Sequence, residues 1–191
     1  MSIAAVVLAA GASRRLGRPK QNIVLDRETL LQRTVRLSRE AGLSPVFVVV
    51  RKETEYAEIA PSPNLIVVVN HEAEEGIASS IRSGIAAAAR YDLAGTVMLA
   101  CDQPALRATH LRALAEDQQR LSASAYAGSL GVPAYFPVSL FSSLLQLHGD
   151  TGARSLLKNA HAIEAEELSL DIDTEDDLGI ARALFETPGD R

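Results

Sequence analysis

The feature that most limits what this chain can fold into is an alternation of two periods. Short runs nearly continuous in apolar and β-branched residues, at 3–9, 45–50, 65–69 and 96–100, are separated by stretches of helical period at 29–41, 54–60 and 78–90. A short continuous apolar run reads as a strand buried on both faces. In the first helical stretch Leu30, Leu31, Val35, Leu37 and Ala41 form a stripe, and Gly42 suits the C-terminal cap. Strand–helix alternation implies right-handed crossovers and a mostly parallel sheet covered on both faces. The rhythm loosens afterwards. A helix is expected over 107–121, then two short antiparallel strands within 123–136 around Gly128-Ser129. Short helices at 138–147 and 152–158 and a short strand at 162–166 follow. A last helix starts from Thr174, where Thr174-Glu175-Asp176-Asp177 has the pattern of a capping box. No repeat, linker or low-complexity tract interrupts the 191 residues. The expectation is one α/β domain over 1–191, with a mostly parallel, mixed sheet flanked by helices.

Composition narrows the choice of ligand. Apolar residues make up 47% and charged residues 23%, which is ordinary for a globular protein. A net charge of −5 gives no general attraction to nucleic acid or to anionic membranes. Any anion must therefore be held locally, by a few placed cations. The single cysteine, Cys101, leaves no internal disulfide, argues against a Cys-based zinc site, and fits a reducing compartment. The N-terminal apolar run is too short for a bilayer and has no basic region before it, so it reads as a strand. A cytoplasmic protein is expected.

In an open α/β sheet, ligands bind beyond the carboxyl ends of the strands. Four segments follow or flank apolar runs. In "AAGASRRLGRPK" (9–20), Gly11 and Gly17 permit a tight path, Ala9, Ala10 and Ala12 allow close backbone approach, and Arg15 and Lys20 could neutralise phosphate oxygens. The spacing is neither a Walker A loop nor G-x-G-x-x-G, and the residues leave open a phosphate cradle or a solvated basic loop. In "VMLACDQPAL" (97–106), Asp102 emerges at a strand end, as a ligand for Mg²⁺ or as an Asx turn before Pro104. Cys101 beside it reads as a small strand residue. In "EEGIASSIRSGIAAA" (74–88), Gly76, Ser79, Ser80 and Ser83 open a helix, to meet a ligand or to cap and pack. In "LSLDIDTEDDLGIA" (168–181), Asp171 and Asp173 flank Ile172 and share a face if extended, as metal carboxylates or as caps. His71, His110, His148 and His161 show no metal-ligand spacing and receive no role.

Together these segments resemble a known pattern. "LAAGASRRLGRPK" (8–20) is similar to the L-A-A-G-x-S-x-R-x-G-x-x-K signature of nucleotidyltransferases of the molybdenum cofactor cytidylyltransferase type. The likeness continues in order through "EEGIASSIRSGI", "CDQP", "LFSSLLQLHGDTGARSLL" and "DIDTEDDL". The resemblance implies a Rossmann-like domain of the nucleotide-diphospho-sugar transferase type that moves a nucleoside monophosphate from an NTP to the terminal phosphate of molybdopterin, releasing pyrophosphate. By that carry-over Leu8, Ala9, Ala10, Gly11, Ser13, Arg15 and Lys20 bind the nucleotide, and Gly76 and Ser80 lie near base and ribose. Asp102 holds Mg²⁺ with Asp171 or Asp173, and Lys20, Arg15 and Asp102 carry the catalysis. The acceptor meets Gly131, Pro133, Gly149, Asp150 and Arg154. Ala10 matches the cytidylyl rather than the guanylyl form of the signature, which favours CTP through a methyl that narrows the base pocket. Val132 departs from a His common in relatives, which bears on the acceptor. Contact with a molybdoenzyme or its chaperone is implied by the family. A sugar phosphate or alcohol phosphate acceptor, or a non-catalytic nucleotide-binding module, are the alternatives. Arg14 and Arg18 fall at variable positions and read as solvated charge.

Overall fold

The computed structural model describes residues 1–52 and 63–185; the helix expected over 54–60 lies outside the described residues. Along the chain run β1 (Ser2–Leu8), β2 (Val24–Leu25), β3 (Glu28–Thr29), α1 (Leu30–Glu40), β4 (Val46–Val50), β5 (Leu65–Val69), α2 (Ile77–Ala88) and β6 (Leu93–Ala100). Then follow α3 (Ala108–Leu114), β7 (Ser122–Tyr126), β8 (Ser129–Pro137), α4 (Phe141–Leu144), α5 (Arg154–Leu157), β9 (His161–Glu164) and α6 (Glu175–Phe185). Seven strands form one sheet in the order β5-β4-β1-β6-β8-β7-β9. β5, β4, β1 and β6 are mutually parallel, β8 runs antiparallel to both β6 and β7, and β9 is parallel to β7. The chain is a single α/β domain with the mostly parallel, mixed sheet that the alternation predicts.

The continuous apolar runs do what their lack of alternation requires, because each of their faces meets a core. Ala5, Val7, Val48 and Leu99 pack with Leu31 and Val35 of α1 and Leu111 of α3. Their sequence neighbours Ala4, Val6, Phe47, Val49 and Met98 pack on the other face with Ile81 and Ile85 of α2. Burial at about 25 cal/mol per Å² of apolar surface makes these two layers the main stabilising term. β5 is as apolar as β4 but only partly buried, since among the described residues it pairs with β4 alone and leaves Val67 37% exposed. The helix expected over 107–121 stops at Leu114, because Glu116–Arg120 offers no apolar side chain to hold a further turn on the core. The segments at 138–147 and 152–158 hold only short α4 and α5, with a 3₁₀ turn ahead of α4. The small β2–β3 hairpin, turning through left-handed Asp26 and Arg27, had no Asn-Gly signal to announce it.

Two capping boxes set helix starts that matter for the site. Thr29 and Gln32 exchange side-chain and backbone hydrogen bonds at α1. Thr174 and Asp177 do the same at α6, as the sequence pattern predicts. Among the described residues no helix is long and apolar enough to cross a membrane.

The sheet order decides where a ligand can sit. β1 continues to β4 and β5 on one side, whereas β6 lies on its other side, so the order reverses between β1 and β6. At that point Leu8 and Ala100 are register partners, and the loops after them leave the same edge side by side. A crevice at the carboxyl end of such a switch point is where open α/β sheets place ligands.

Candidate functional site

The loop after β1 is shaped by its own backbone. Ser13 adopts a left-handed φ of 47° and Gly17 one of 71°, and the Gly17 N–H donates to the Ser13 carbonyl at 3.0 Å. The Ser13 hydroxyl accepts the Lys20 N–H at 3.1 Å, which brings Lys20 back across the loop. Leu16 anchors the basic stretch by packing with Ile23, Leu30, Ile172 and Leu178. The apolar anchor thus holds the cations of 14–20 at the edge, beside the segment that carries Asp171 and Asp173. That segment is tied down in turn, since the Ile172 N–H donates to the Asp102 carbonyl at 2.9 Å.

These contacts enclose a cleft of about 310 Å³. Leu8, Ala9, Gly11, Ser13, Arg15 and Lys20 line it from the first loop, and Asp102 and Asp173 line it from the two others. Arg14 and Gln21 also line it. Arg14 is therefore at the site and not merely solvated charge; its position in the loop, one residue past left-handed Ser13, is a backbone outcome that composition does not announce. Arg18 instead pairs with Glu175 at 2.7 Å on the exposed surface, as expected of solvated charge.

Charge is concentrated and mutually compensated here. The Lys20 ammonium donates to Asp102 at 3.2 Å and also to Asp173, whose other oxygen takes Arg15. Desolvation alone would lower the Lys20 pKa, but the Asp102 charge and the hydrogen bonds to Asp173 outweigh it and hold it above the ordinary lysine value. Asp171 is pushed up to about 6 by desolvation, with repulsion from Asp102 and Asp173 behind it. The donor set is all carboxylate oxygen, which suits hard cations such as Mg²⁺ or Mn²⁺. Among the described residues no group of three or more His, Cys, Asp or Glu side chains is arranged to hold a metal ion unaided. Two carboxylates completed by substrate phosphates fit the habit of Mg²⁺. Cys101 is buried and its thiol is pushed up to about 12 by that burial, so it is no nucleophile at neutral pH.

The remaining predicted residues separate from this cleft. Ala10 is buried with Phe47 and Ile81 in the core, and does not line it. The side chain following Ala9 alternates to the opposite face, which sets the Ala10 methyl in the apolar layer with Phe47 and Ile81. Gly76 and Ser80 are also absent from the cleft lining. Gly76 has φ +121°, and a Cβ there would meet the Asp150 carboxylate at 2.2 Å and the Gly149 backbone at 2.8 Å. The Ala78 N–H donates to the Gly149 carbonyl at 3.1 Å, so Gly149 and Asp150 cover the start of α2. The buried Asn70 amide donates to Ser79 at 2.9 Å and to Ser80 at 3.0 Å. These hydrogen bonds spend both hydroxyls on packing the start of α2.

A second, larger cavity of about 630 Å³ lies between the β7–β8 hairpin, α5 and β9. Of the residues expected at the acceptor, only Arg154 lines it; Tyr126, Leu130, Lys158, Glu164 and Glu166 do so as well. Gly131 and Pro133 stand behind it. A Cβ on Gly131 would meet the Tyr126 hydroxyl at 2.5 Å, so the glycine makes room for that ring. Pro133 is buried, and its carbonyl accepts the Ser124 hydroxyl at 2.6 Å. Val132 packs against the core. Tyr126 donates to the Val132 carbonyl at 2.9 Å and accepts from the Gln103 amide at 3.2 Å. Since Gln103 directly follows Asp102, Tyr126 ties the wall of the larger cavity to the charged cleft. Tyr126, Gln103, Gln21 and Lys158 escape sequence reasoning; an aromatic ring among the small residues of 122–131 was the one available signal for Tyr126.

Comparison with known proteins shows what the chain is similar to. The chain is 32% identical over 194 residues to the purine catabolism protein PucB of Bacillus subtilis, covering 93% of this chain and 94% of that one. It is 38% identical over 107 residues to a probable molybdenum cofactor guanylyltransferase of Opitutus terrae, over 56% of this chain and 51% of the relative. The solved structure of Rv0371c from Mycobacterium tuberculosis superposes with a TM-score of 0.80 at 28% identity, covering 96% of this chain and 99% of that one. A manganese complex of Rv0371c superposes with a TM-score of 0.72 at 26% identity, covering 96% and 98%. The model of the MobA-like NTP transferase domain matches residues 5–165, a span that takes in the basic loop, Asp102 and the strands through β9 and ends before Asp173. With cations and carboxylates meeting at the reversal of its sheet, this chain belongs to the MobA-like NTP transferase family.

Proposed function

We propose that this protein transfers a nucleoside monophosphate from an NTP, CTP being favoured, to the terminal phosphate of molybdopterin, with release of pyrophosphate. The observation that carries the reading is the meeting of Lys20 and Arg15 with Asp102 and Asp173 at the adjoining ends of β1 and β6. Phosphoryl-type transfer needs positioning and charge stabilisation more than a protein nucleophile, and this cleft offers cations, small residues and carboxylates. An oxygen of the acceptor phosphate forms the new bond to the α-phosphorus in line with the departing group. The bond from the α-phosphorus to the bridging oxygen breaks, and pyrophosphate leaves with the electron pair. An ionised phosphate nucleophile needs no general base. Lys20 and Arg15 stabilise the charge that develops on the phosphate oxygens, and Arg14 adds a third cation on the same wall. Asp102 with Asp173 or Asp171 would hold a divalent cation, magnesium in this reading, which neutralises donor phosphate charge when bound.

The larger cavity suits the acceptor. Arg154 and Lys158 offer cations to a phosphate, and Tyr126 and Leu130 offer apolar surface to a flat ring. The Opitutus relative's name supports a molybdenum cofactor acceptor and at the same time makes GTP the rival donor. The Leu-Ala-Ala-Gly form of the first motif favours CTP. With the Ala10 methyl turned into the core, selection of the base would rest on the backbone of 9–11. A cytoplasmic setting and a transient contact with a molybdoenzyme or its chaperone accompany this acceptor.

The test is pyrophosphate release with each of the four NTPs, Mg²⁺ and molybdopterin. Release greatest with CTP and dependent on molybdopterin is expected. Greatest release with GTP would replace the cytidylyl assignment and leave the transfer standing. Release that needs a sugar phosphate would replace the acceptor, and none under any condition would favour a non-catalytic binding module.

A further inference from the structure

We propose that Lys20 is the resident cation of the Asp102–Asp173 pair and yields it to a divalent ion only when a triphosphate takes up the ammonium. The inference rests on the nucleotidyl-transfer reading above. It makes Lys20 the residue that couples nucleotide binding to metal binding, and so gives the two ligands an order.

Three of the four oxygens of these carboxylates are engaged by side-chain cations. Lys20 takes Asp102 Oδ2 at 3.2 Å and Asp173 Oδ1, and Arg15 takes Asp173 Oδ2. A dication approaching the pair meets an ammonium already between the oxygens it needs, and the two positive charges repel at short range. The pair is also too small a donor set by itself, since no group of three or more acidic, His or Cys side chains among the described residues is arranged for a metal. Both obstacles are removed by the same event. Phosphate oxygens entering the cleft offer the lysine more acceptors than the carboxylates do, and they add ligands for the ion. Only the Lys20 side chain has to swing, because its backbone N–H is pinned by the Ser13 hydroxyl at 3.1 Å. Its side chain is 16% exposed and lines the cleft, so incoming phosphates meet it there. Coupling between two ligands is reciprocal, so nucleotide must tighten metal binding by the factor by which metal tightens nucleotide.

The experiment titrates the full-length protein with Mn²⁺, followed by the loss of the free-ion electron paramagnetic resonance signal. Wild type is expected to take Mn²⁺ poorly without nucleotide and at least about tenfold more tightly with a non-hydrolysable CTP or GTP analogue. Lys20→Met is expected to bind Mn²⁺ without nucleotide about tenfold more tightly than wild type, since Asp102 and the inner oxygen of Asp173 then lose their cation and only Arg15 remains on the pair. Lys20→Arg keeps the charge and should behave as wild type, and the double variant Lys20→Met, Asp102→Asn should lose the gain. Equal Mn²⁺ affinity in wild type and Lys20→Met overturns the inference, as does a gain that survives Asp102→Asn. Pyrophosphate release by wild type, measured on the same preparation, tells the two failures apart. Release with an unaltered Lys20→Met titration removes only the role of Lys20, whereas no release with any NTP removes the transfer reading itself.

Discussion

The loop of 9–20 and the segment of 70–80 both set small and polar residues at the edge of the sheet, yet they use them in opposite ways. In the first, the polar backbone is folded onto itself around Ser13, Leu16 is buried, and Arg14, Arg15 and Lys20 line a cleft. In the second, the side chains turn inward: Asn70 is 2% exposed, and its amide joins Ser79 and Ser80 while its carbonyl oxygen accepts the Glu72 N–H at 3.0 Å. Outside that knot, Arg82 clamps Glu72 and Glu75 and donates to the Leu147 carbonyl at 2.8 Å. A loop whose backbone supplies its own hydrogen bonds frees its side chains for a ligand. A loop that spends its side chains on its own backbone has fewer to offer.

Four substitutions would break or sharpen that contrast. Asp102→Asn should lower turnover by about 10²–10³-fold, the usual scale for losing a charge-stabilising group, and leave the melting temperature within a few degrees. Pyrophosphate release against a thermal melt checks it, and wild-type turnover would remove Asp102 from the site. Asn70→Ala should do the reverse, destabilising the fold by about 2–3 kcal/mol through the loss of its buried hydrogen bonds to Ser79, Ser80 and the Glu72 N–H, while the remaining folded enzyme keeps its turnover. Urea unfolding reads the first effect, and a larger loss in kcat than in stability would make the α2 start part of the catalytic machinery. Arg14→Ala should raise the KM for NTP several-fold, about 1 kcal/mol, whereas Arg18→Ala, whose partner Glu175 is a surface group, should stay within about 0.5 kcal/mol in binding and in stability. Equal effects on KM would erase the distinction between the two arginines.

The smallest effect is in pH dependence. The Asp171 carboxyl titrates higher in the fold, at about 6, than its ordinary value of 3.8. The folded protein therefore binds more protons than the unfolded chain between those values, and this group's contribution makes stability fall as pH rises from about 4 to 6. Because Asp171 is exposed the slope is shallow. Asp171→Asn should remove it in urea titrations at successive pH, and an unchanged slope would show that the shift belongs to another group.

Most of the fold was legible because burial on both faces demands apolar continuity, and the runs that became β1, β4 and β6 have it. The misreadings came where tertiary neighbours, not local pattern, decide. β5 reads like β4 but lies at an edge with one partner. The stretch after Leu114 has helix-forming residues without an apolar face to dock. Within the candidate site, Arg15, Lys20 and Asp102 stood out by their place after buried strands, whereas the choice between Asp171 and Asp173 stayed open in the sequence. The direction of Ala10, the inward turn of Ser80 and the partnership of Gly131 with Tyr126 could not be picked out, since each depends on which face of the chain a neighbour occupies.

By itself, then, the sequence determined the α/β class and the strand ends that bear charge, while the chemistry was implied by a family resemblance. The first two follow from the period of the apolar pattern and from the residue types set beside it. Only the tertiary structure decided that Lys20 and Arg15 neutralise the same aspartate, that Arg14 joins them, and that Tyr126 stands between the cleft and the larger cavity. Asp173 lies 153 residues from Lys20 in the chain. Their meeting depends on the order of the strands, on the packing of Leu16 with Ile172 and Leu178, and on the backbone hydrogen bond from Ile172 to Asp102, none of which is written in any local stretch.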